Sequence, residues 1–312
     1  MTDVLPPGFT VTPAGHPPGF TVTPAGHPPG FPSKHVDTPG PIVLASPHGG
    51  RDYPAAFLAQ TRLTLAQLRR AEDAFVAELL ADAVVAGAPL IAARYGRAWL
   101  DLNRDEAELD PAMFVDPLDA HPAQSSDRVA AGLGVVPRIA AHGLDIYPGR
   151  VRSADAAARI TQVHRPYHAT IDRLLADAAA AHGYAVLLDC HSMPTPPPVN
   201  GGAAQIVIGD LFGAAAAAPL VVAIERHFRD AGFRVARNAP YAGGYTTARH
   251  GRPVEGIHAV QIEIDRALYM DPARLVRHIG FDRIAASLAT LVAALLPSVG
   301  AMGLHPFACA AE

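Results

Sequence analysis

"YAVLLDCHSM", residues 184–193, decides how the chain is read. Positions 184–188 are apolar without alternation, so neither face of the strand they form can meet water. Such a strand sits centrally in a largely parallel sheet, covered by helices on both sides. Outward from it, short apolar runs alternate with long periodic segments from residue 41 onward. The runs "PIVLAS", "PLIAARY", "QIVIGD" and "HAVQIEID" read as further strands. Helices are expected over 63–86, about 153–182, 214–231 and about 272–295. This alternation predicts an α/β fold, a single domain with a mixed, mostly parallel sheet flanked by helices. Residues 105–147, irregular and rich in Asp and Pro, read as excursions over the sheet edge rather than core.

The whole chain is consistent with one catalytic-size domain. Its 312 residues are 50% hydrophobic, enough for one large core. A formal charge of -4 supplies no general field toward nucleic acid or a membrane surface, so neither is expected as a partner. Two dispersed cysteines, Cys190 and Cys309, exclude a disulfide framework and a cysteine zinc site, and with no signal-peptide pattern a soluble, cytoplasmic protein is expected. At the N-terminus "PPGFTVTPAGH" occurs twice in tandem, at 6–16 and 17–27, and restarts as "PPGF". Prolines at this density fix φ and remove donors, so residues 1–40 are expected to be a flexible leader. One copy of "FTVT" could instead add an edge strand. The α/β domain is assigned to 41–300, and 301–312 to a C-terminal tail.

In open α/β sheets ligands bind beyond the carboxyl ends of the strands. The polar residues just past the apolar runs are therefore the candidates: His48 after "IVLASP", Arg97 and "DLNR" (101–104) after "PLIAARY", and His191 after "AVLLDC". A hydrolytic zinc needs about three His or carboxylate ligands and an open position. His48 and His191 are the first two candidates. The third is Asp73 or, as the alternative, Asp52; the short spacing HxxE fails, because Arg51 occupies its carboxylate position. Glu263 interrupts the strand "HAVQIEID", where a carboxylate is costly unless used or paired. Beside a metal-activated water it would serve as general base; the structural alternative is an ion pair with Arg266. Asn103 and Arg104 suit capture of a substrate carboxylate, unless Arg104 merely pairs with Asp101. "GGYTTARHGRP" (243–253) reads as a glycine-hinged basic loop that could bring Arg249 or Arg252 over an anionic substrate. "HRPYH" sets His164 and His168 four apart, but Arg165 stands where HExxH has its glutamate, so it is set aside as a zinc motif.

Eight stretches in order, "VLASPHGGRDYP", "YGRAWLDLNRDEAELD", "GLGVVPRI", "IYPGR", "RPYHATIDRLL", "LLDCHSMP", "IVIGD" and "GGYTTARHGRPVEGIHAVQIEIDRALYMD", resemble the N-formylglutamate amidohydrolase family over about residues 41–271. The resemblance implies a zinc carboxypeptidase and aspartoacylase-like fold with one Zn2+ at the carboxyl rim. It implies that His48 and His191 are ligands, Glu263 the base, Arg97 the group polarising the scissile carbonyl, and Asn103 and Arg104 the carboxylate holders. It further implies hydrolysis of a small acidic N-acyl amino acid, N-formylglutamate, to formate and glutamate, within histidine breakdown. The alternatives are a deacylase or amidase for another N-acyl amino acid or peptide fragment, and a non-catalytic metal or anion-binding module.

Overall fold

The structure is a computed structural model and describes residues 8–12, 40–118, 126–198 and 202–306. In chain order it runs β1 (Phe9–Thr12), β2 (Ile42–Ser46), α1 (Ala55–Gln60), α2 (Leu65–Arg69), α3 (Val76–Leu79), α4 (Ala81–Val85) and β3 (Leu90–Ala93). A long segment follows whose described residues carry the short α5 (Asp127–Ala130) and two 3-10 turns, Pro111–Met113 and Ala141–Gly143, then α6 (Ser153–Arg159), α7 (Arg165–His182), β4 (Ala185–Met193) and β5 (Ile206–Gly209). The chain continues through α8 (Ala218–Asp230), β6 (Val235–Arg237), α9 (Tyr245–His250), β7 (Ile257–Asp265), β8 (Met270–Asp271), β9 (Val276–Arg277) and α10 (Gly280–Ser298).

Seven strands form one sheet in the order β1-β3-β2-β4-β7-β5-β6. β3, β2, β4 and β7 are mutually parallel, which makes β4 a central strand, as its unbroken apolar run requires. β5 runs antiparallel to β7, so its carboxyl end, and Asp210 beyond it, lie at the opposite rim from His191 and Glu263. Side chains alternate between two cores. Val186, Leu188, Val260 and Ile262 face α3, α4, α8 and α10; Ala185, Leu187, Ile257 and Ala259 face the layer built on α6 and α7. α10 is long and apolar enough to cross a membrane, but Ile284, Leu288, Leu291 and Leu295 on it are buried in the first core.

Four expectations are corrected here. The helix expected over 63–86 is broken into α2, α3 and α4, with Glu72 and Asp73 in a turn and Phe75 in the left-handed region at φ 67°. That conformation costs of order 1–3 kcal/mol for a non-glycine residue. Tyr269 Oη donates to Ala74 O at 2.9 Å and braces the turn. The final helix begins at Gly280, after the β8–β9 hairpin, rather than near 272. The segment 105–147 is not merely peripheral, because Leu109, Met113, Phe114, Val136 and Ile146 are buried in the α7-side core. Finally, the domain boundaries move outward: Leu304 is fully buried, and β1 pairs antiparallel with β3.

β1 corrects the flexible-leader reading for residues 8–12; the second repeat copy and residues 13–39 lie outside the described residues. Phe9 packs edge-on against Tyr167 with ring centroids 5.4 Å apart and is 1% exposed. Phe9→Ala is therefore expected to lower stability by about 3–5 kcal/mol. The check is a denaturant midpoint; an unchanged midpoint would return β1 to the status of a loose leader.

Candidate metal centre and active site

The strands change chemistry partway along the α7-side face. On β4 the face reads Ala185, Leu187, then Asp189 and His191; on β7 it reads Ile257, Ala259, then Gln261 and Glu263. The parallel register sets Asp189 opposite Gln261 and His191 opposite Glu263. β2 ends just before His48, and the turn that follows folds tightly onto β3. A Cβ at Gly50 would lie 2.3 Å from Tyr95 O, so only glycine permits that approach. The third residue comes from the broken helix: Asp73 N donates to His48 O at 3.0 Å, which ties the turn to the rim.

These elements bring His48, Asp73 and His191 together, all buried. His191 Nδ1 lies 3.0 Å from Asp73 Oδ2 and 3.1 Å from His48 Nδ1, and His48 Nδ1 lies 3.4 Å from Asp73 Oδ2. Tetrahedral zinc with bonds near 2.0–2.2 Å separates its ligand atoms by about 3.3 Å, so the three donors are spaced as one small divalent ion requires. The far nitrogens of both rings meet carboxylates. His48 Nε2–H donates to Asp101 Oδ1 at 2.6 Å, which leaves Nδ1 free as a donor atom; His191 Nε2 lies 3.1 Å from Asp189 Oδ2. Histidine ligands are typically oriented by such partners. Asp189 is fully buried and neither of its oxygens receives a well-aligned hydrogen bond.

The cluster is anion-rich, and its proton affinities show it. Burial works against the charge of His191, yet Asp189, Asp73 and Glu263 raise it well above an ordinary histidine. Burial likewise opposes the charge on Asp73 and Asp101, but His191, His48 and Arg266 hold Asp73, and Arg97 with His48 holds Asp101, well below the carboxylate range. Four carboxylates at or beneath the rim thus draw in positive charge, and a dication at the three donors would meet that demand. The residues present fit a divalent metal.

Glu263 is 7% exposed, and burial, aided by Asp73 and Asp189 and opposed by His191 and Arg97, pushes it up to about 7. Gln261 Nε2 donates to its Oε1 at 3.0 Å. Arg266, the alternative partner considered for it, donates instead to Asp73 Oδ1 at 2.9 Å.

The remaining candidates divide. Arg97 Nη2 donates to Asp101 Oδ2 at 2.7 Å, so the guanidinium is anchored at the rim. Asn103 Oδ1 accepts from Thr246 N at 2.8 Å and its Nδ2 lies 3.3 Å from His191 Nε2; its amide is thus engaged with the protein. Gly244 permits this, since a Cβ there would meet Asn103 Nδ2 at 2.2 Å. Arg104 does not pair with Asp101: its Nε and Nη1 donate to the carbonyls of Leu133 and Asn103. Arg249 lies on α9, helical where a loop was expected, and pairs with Asp172 at 3.0 Å and Tyr245 at 3.3 Å. Asp52 is excluded from the cluster, because it is exposed and accepts from Arg94 Nε at 2.8 Å. Arg51 points outward toward Glu78.

Sequence reasoning passed over Asp189, Asp101 as the partner of His48, and Arg266 as the partner of Asp73. Asp189 was findable, since it interrupts an apolar strand just as Glu263 does. "HRPYH" also has a role: Nε2–H of His164 and of His168 donate to Arg104 O and Leu102 O at 2.8 and 2.9 Å, clamping the "DLNR" backbone. A π-helical turn, Ile160–His164, joins α6 to α7 ahead of Pro166.

Fold and rim together define an α/β protein with a hydrolase-type centre, two histidines and an aspartate beside a buried glutamate. Comparison with known proteins narrows this. The family model for N-formylglutamate amidohydrolase matches residues 40–270. The N-formylglutamate deformylase of Pseudomonas aeruginosa is 31% identical over 245 residues, 74% of this chain and 82% of that protein. The crystal structure of N-formylglutamate amidohydrolase from Ralstonia eutropha superposes with a TM-score of 0.81 at 30% identity, over 94% of this chain and 98% of that one. A structure from Agrobacterium tumefaciens, 22% identical with a TM-score of 0.59 over 83% and 92% of the two chains, shares the fold. The chain belongs to the N-formylglutamate amidohydrolase family, whose members hydrolyse a linear amide.

Proposed function

We propose that the protein is a zinc-dependent amidohydrolase that converts N-formylglutamate to formate and glutamate in the cytoplasm. The observation carrying this reading is the convergence of His48 Nδ1, Asp73 Oδ2 and His191 Nδ1 beside a buried glutamate. A zinc ion held there would acidify water and polarise a carbonyl. Glu263 takes the proton from the attacking water at its carboxylate and returns it to the leaving amine nitrogen. Arg97, fixed by Asp101, presents positive charge where the oxyanion develops. Asp101 and Asp189 orient the two histidines. Arg104 and the Asn103 Nδ2 amide receive the substrate carboxylates; Arg249 joins them only by leaving Asp172.

Loading the protein with zinc, supplying N-formylglutamate and measuring formate tests the reading. Formate and glutamate in equal amounts are expected. Cleavage of N-acetylglutamate or a glutamyl peptide with no release of formate would move the assignment to another acyl group, and inactivity toward all of them would favour a binding module.

The elevated proton affinity of Glu263 also sets a pH dependence. Only its carboxylate form accepts a proton, so activity is lost as pH falls through its pKa. With burial pushing that value to about 7, and a nearby dication lowering it somewhat from there, kcat/KM should rise with pH along a limb centred between about 5.5 and 7. A profile flat from pH 5 to 8 would contradict this.

A further inference from the structure

The third donor is the unusual one. His48 and His191 stand at strand ends, but Asp73 is presented by a turn interrupting three short helices, with a left-handed Phe75 two residues later. A carboxylate on so irregular a support needs an external tether, and Arg266 is placed to be one. From the 3-10 turn that follows β7, its guanidinium spans the two ligand-bearing segments. Nη2 donates to Asp73 Oδ1 at 2.9 Å, Nε donates to Ser192 Oγ at 3.1 Å, and weaker donations reach Ser192 O and Arg70 O, each at 3.4 Å. Ser192 directly follows His191, and Arg70 begins the turn that carries Asp73.

The bonds also divide the two oxygens of Asp73. Oδ1 is held by Arg266, whereas Oδ2 faces both histidine nitrogens. We propose that Arg266 is a positioning residue: it staples the Asp73 turn to the end of β4 and keeps Oδ1 occupied, so that Asp73 offers the metal a single oxygen. This rests on the metal reading above and deepens it. The physical consequence follows from charge and geometry together. A carboxylate that swings to present both oxygens would fill a coordination position that water or substrate needs. A planar fork that bonds Asp73 and Ser192 at once prevents that swing; an ammonium at the same place supplies charge without the two fixed directions.

The test compares wild type, Arg266→Lys and Arg266→Gln, each confirmed as folded by circular dichroism. Metal affinity is measured by competition with a chromophoric chelator, and coordination by the visible spectrum of the cobalt(II) form. Wild type is expected to bind one cobalt with the intense bands of a four-coordinate site. Arg266→Gln should bind about 10–100-fold more weakly, as loss of an outer partner of a ligand does, and shift to the weak bands of higher coordination. Arg266→Lys should show the same spectral shift even where affinity partly recovers, which separates geometry from charge. Wild-type affinity and spectrum in a folded Arg266→Gln protein would overturn the inference while leaving the metal site intact. Should Arg266→Gln not fold, the Arg266→Lys spectrum decides alone, and an unchanged one overturns it. Failure of wild type itself to bind cobalt would overturn the metal reading and the inference together.

Discussion

Glu263→Gln is expected to lower kcat for formate release by about 10²–10⁴-fold, the range a positioned acid or base contributes. KM and metal content should stay near those of wild type. The substitution is nearly isosteric, and Gln261 Nε2, which now donates to Glu263 Oε1 at 3.0 Å, can donate to an amide oxygen instead, so the fold should hold. Removing the charge also lessens the anion excess around Asp73 and Asp189, so any loss of activity cannot be ascribed to destabilisation of the strand pair. Formate assays with parallel metal analysis decide the matter. A variant retaining a tenth or more of wild-type kcat would remove Glu263 from the proton-transfer role.

The second large effect concerns the donors. His191→Ala should lose both bound metal and activity, because it removes a donor atom, leaves the Asp189 carboxylate buried without the histidine it pairs with, and leaves Asp73 with only His48 and Arg266. Breaking a buried ion pair from one side costs about 3–5 kcal/mol, so a lowered melting temperature should accompany the loss. Asp73→Asn provides the sharper comparison with Asp52→Asn. Asp73 is 1% exposed within the cluster, whereas Asp52 is exposed and paired with Arg94. Metal analysis is expected to show loss in the first and full occupancy in the second. The reverse pattern would restore the alternative ligand.

Much of the site is legible in the sequence because strands carry their function at fixed, countable positions. An apolar run followed by a histidine marks His48 and His191 as candidates, a carboxylate within an alternating strand marks Glu263, and the fold brings the three to one rim. What escapes is the part assembled from remote segments. Asp101 meets His48 across 53 residues and Arg266 meets Asp73 across 193, and no local pattern announces either pair. Asp73 itself sits where periodicity predicts continuous helix; only packing reveals the break, since the turn is braced by Tyr269 and Arg266 from the far end of the chain. β1 is legible only as the lesser alternative: its proline-rich surroundings favour a leader, and the open edge of β3 and the face of Tyr167 decide for the edge strand that one copy of "FTVT" could form. Fold class, by contrast, follows from β4, because the unalternating apolar run of residues 184–188 asks for cover on both faces, and the structure buries all nine residues of the strand.

The central claim is that one metal ion is held through three particular atoms. A crystal of the zinc-loaded protein, with anomalous difference density recorded at the zinc absorption edge, tests it most directly. One peak is predicted, within about 2.0–2.2 Å of His48 Nδ1, Asp73 Oδ2 and His191 Nδ1, with Asp73 Oδ1 still on Arg266. A peak ligated by the Nε2 atoms, by Asp52, or by none of these residues would contradict the account.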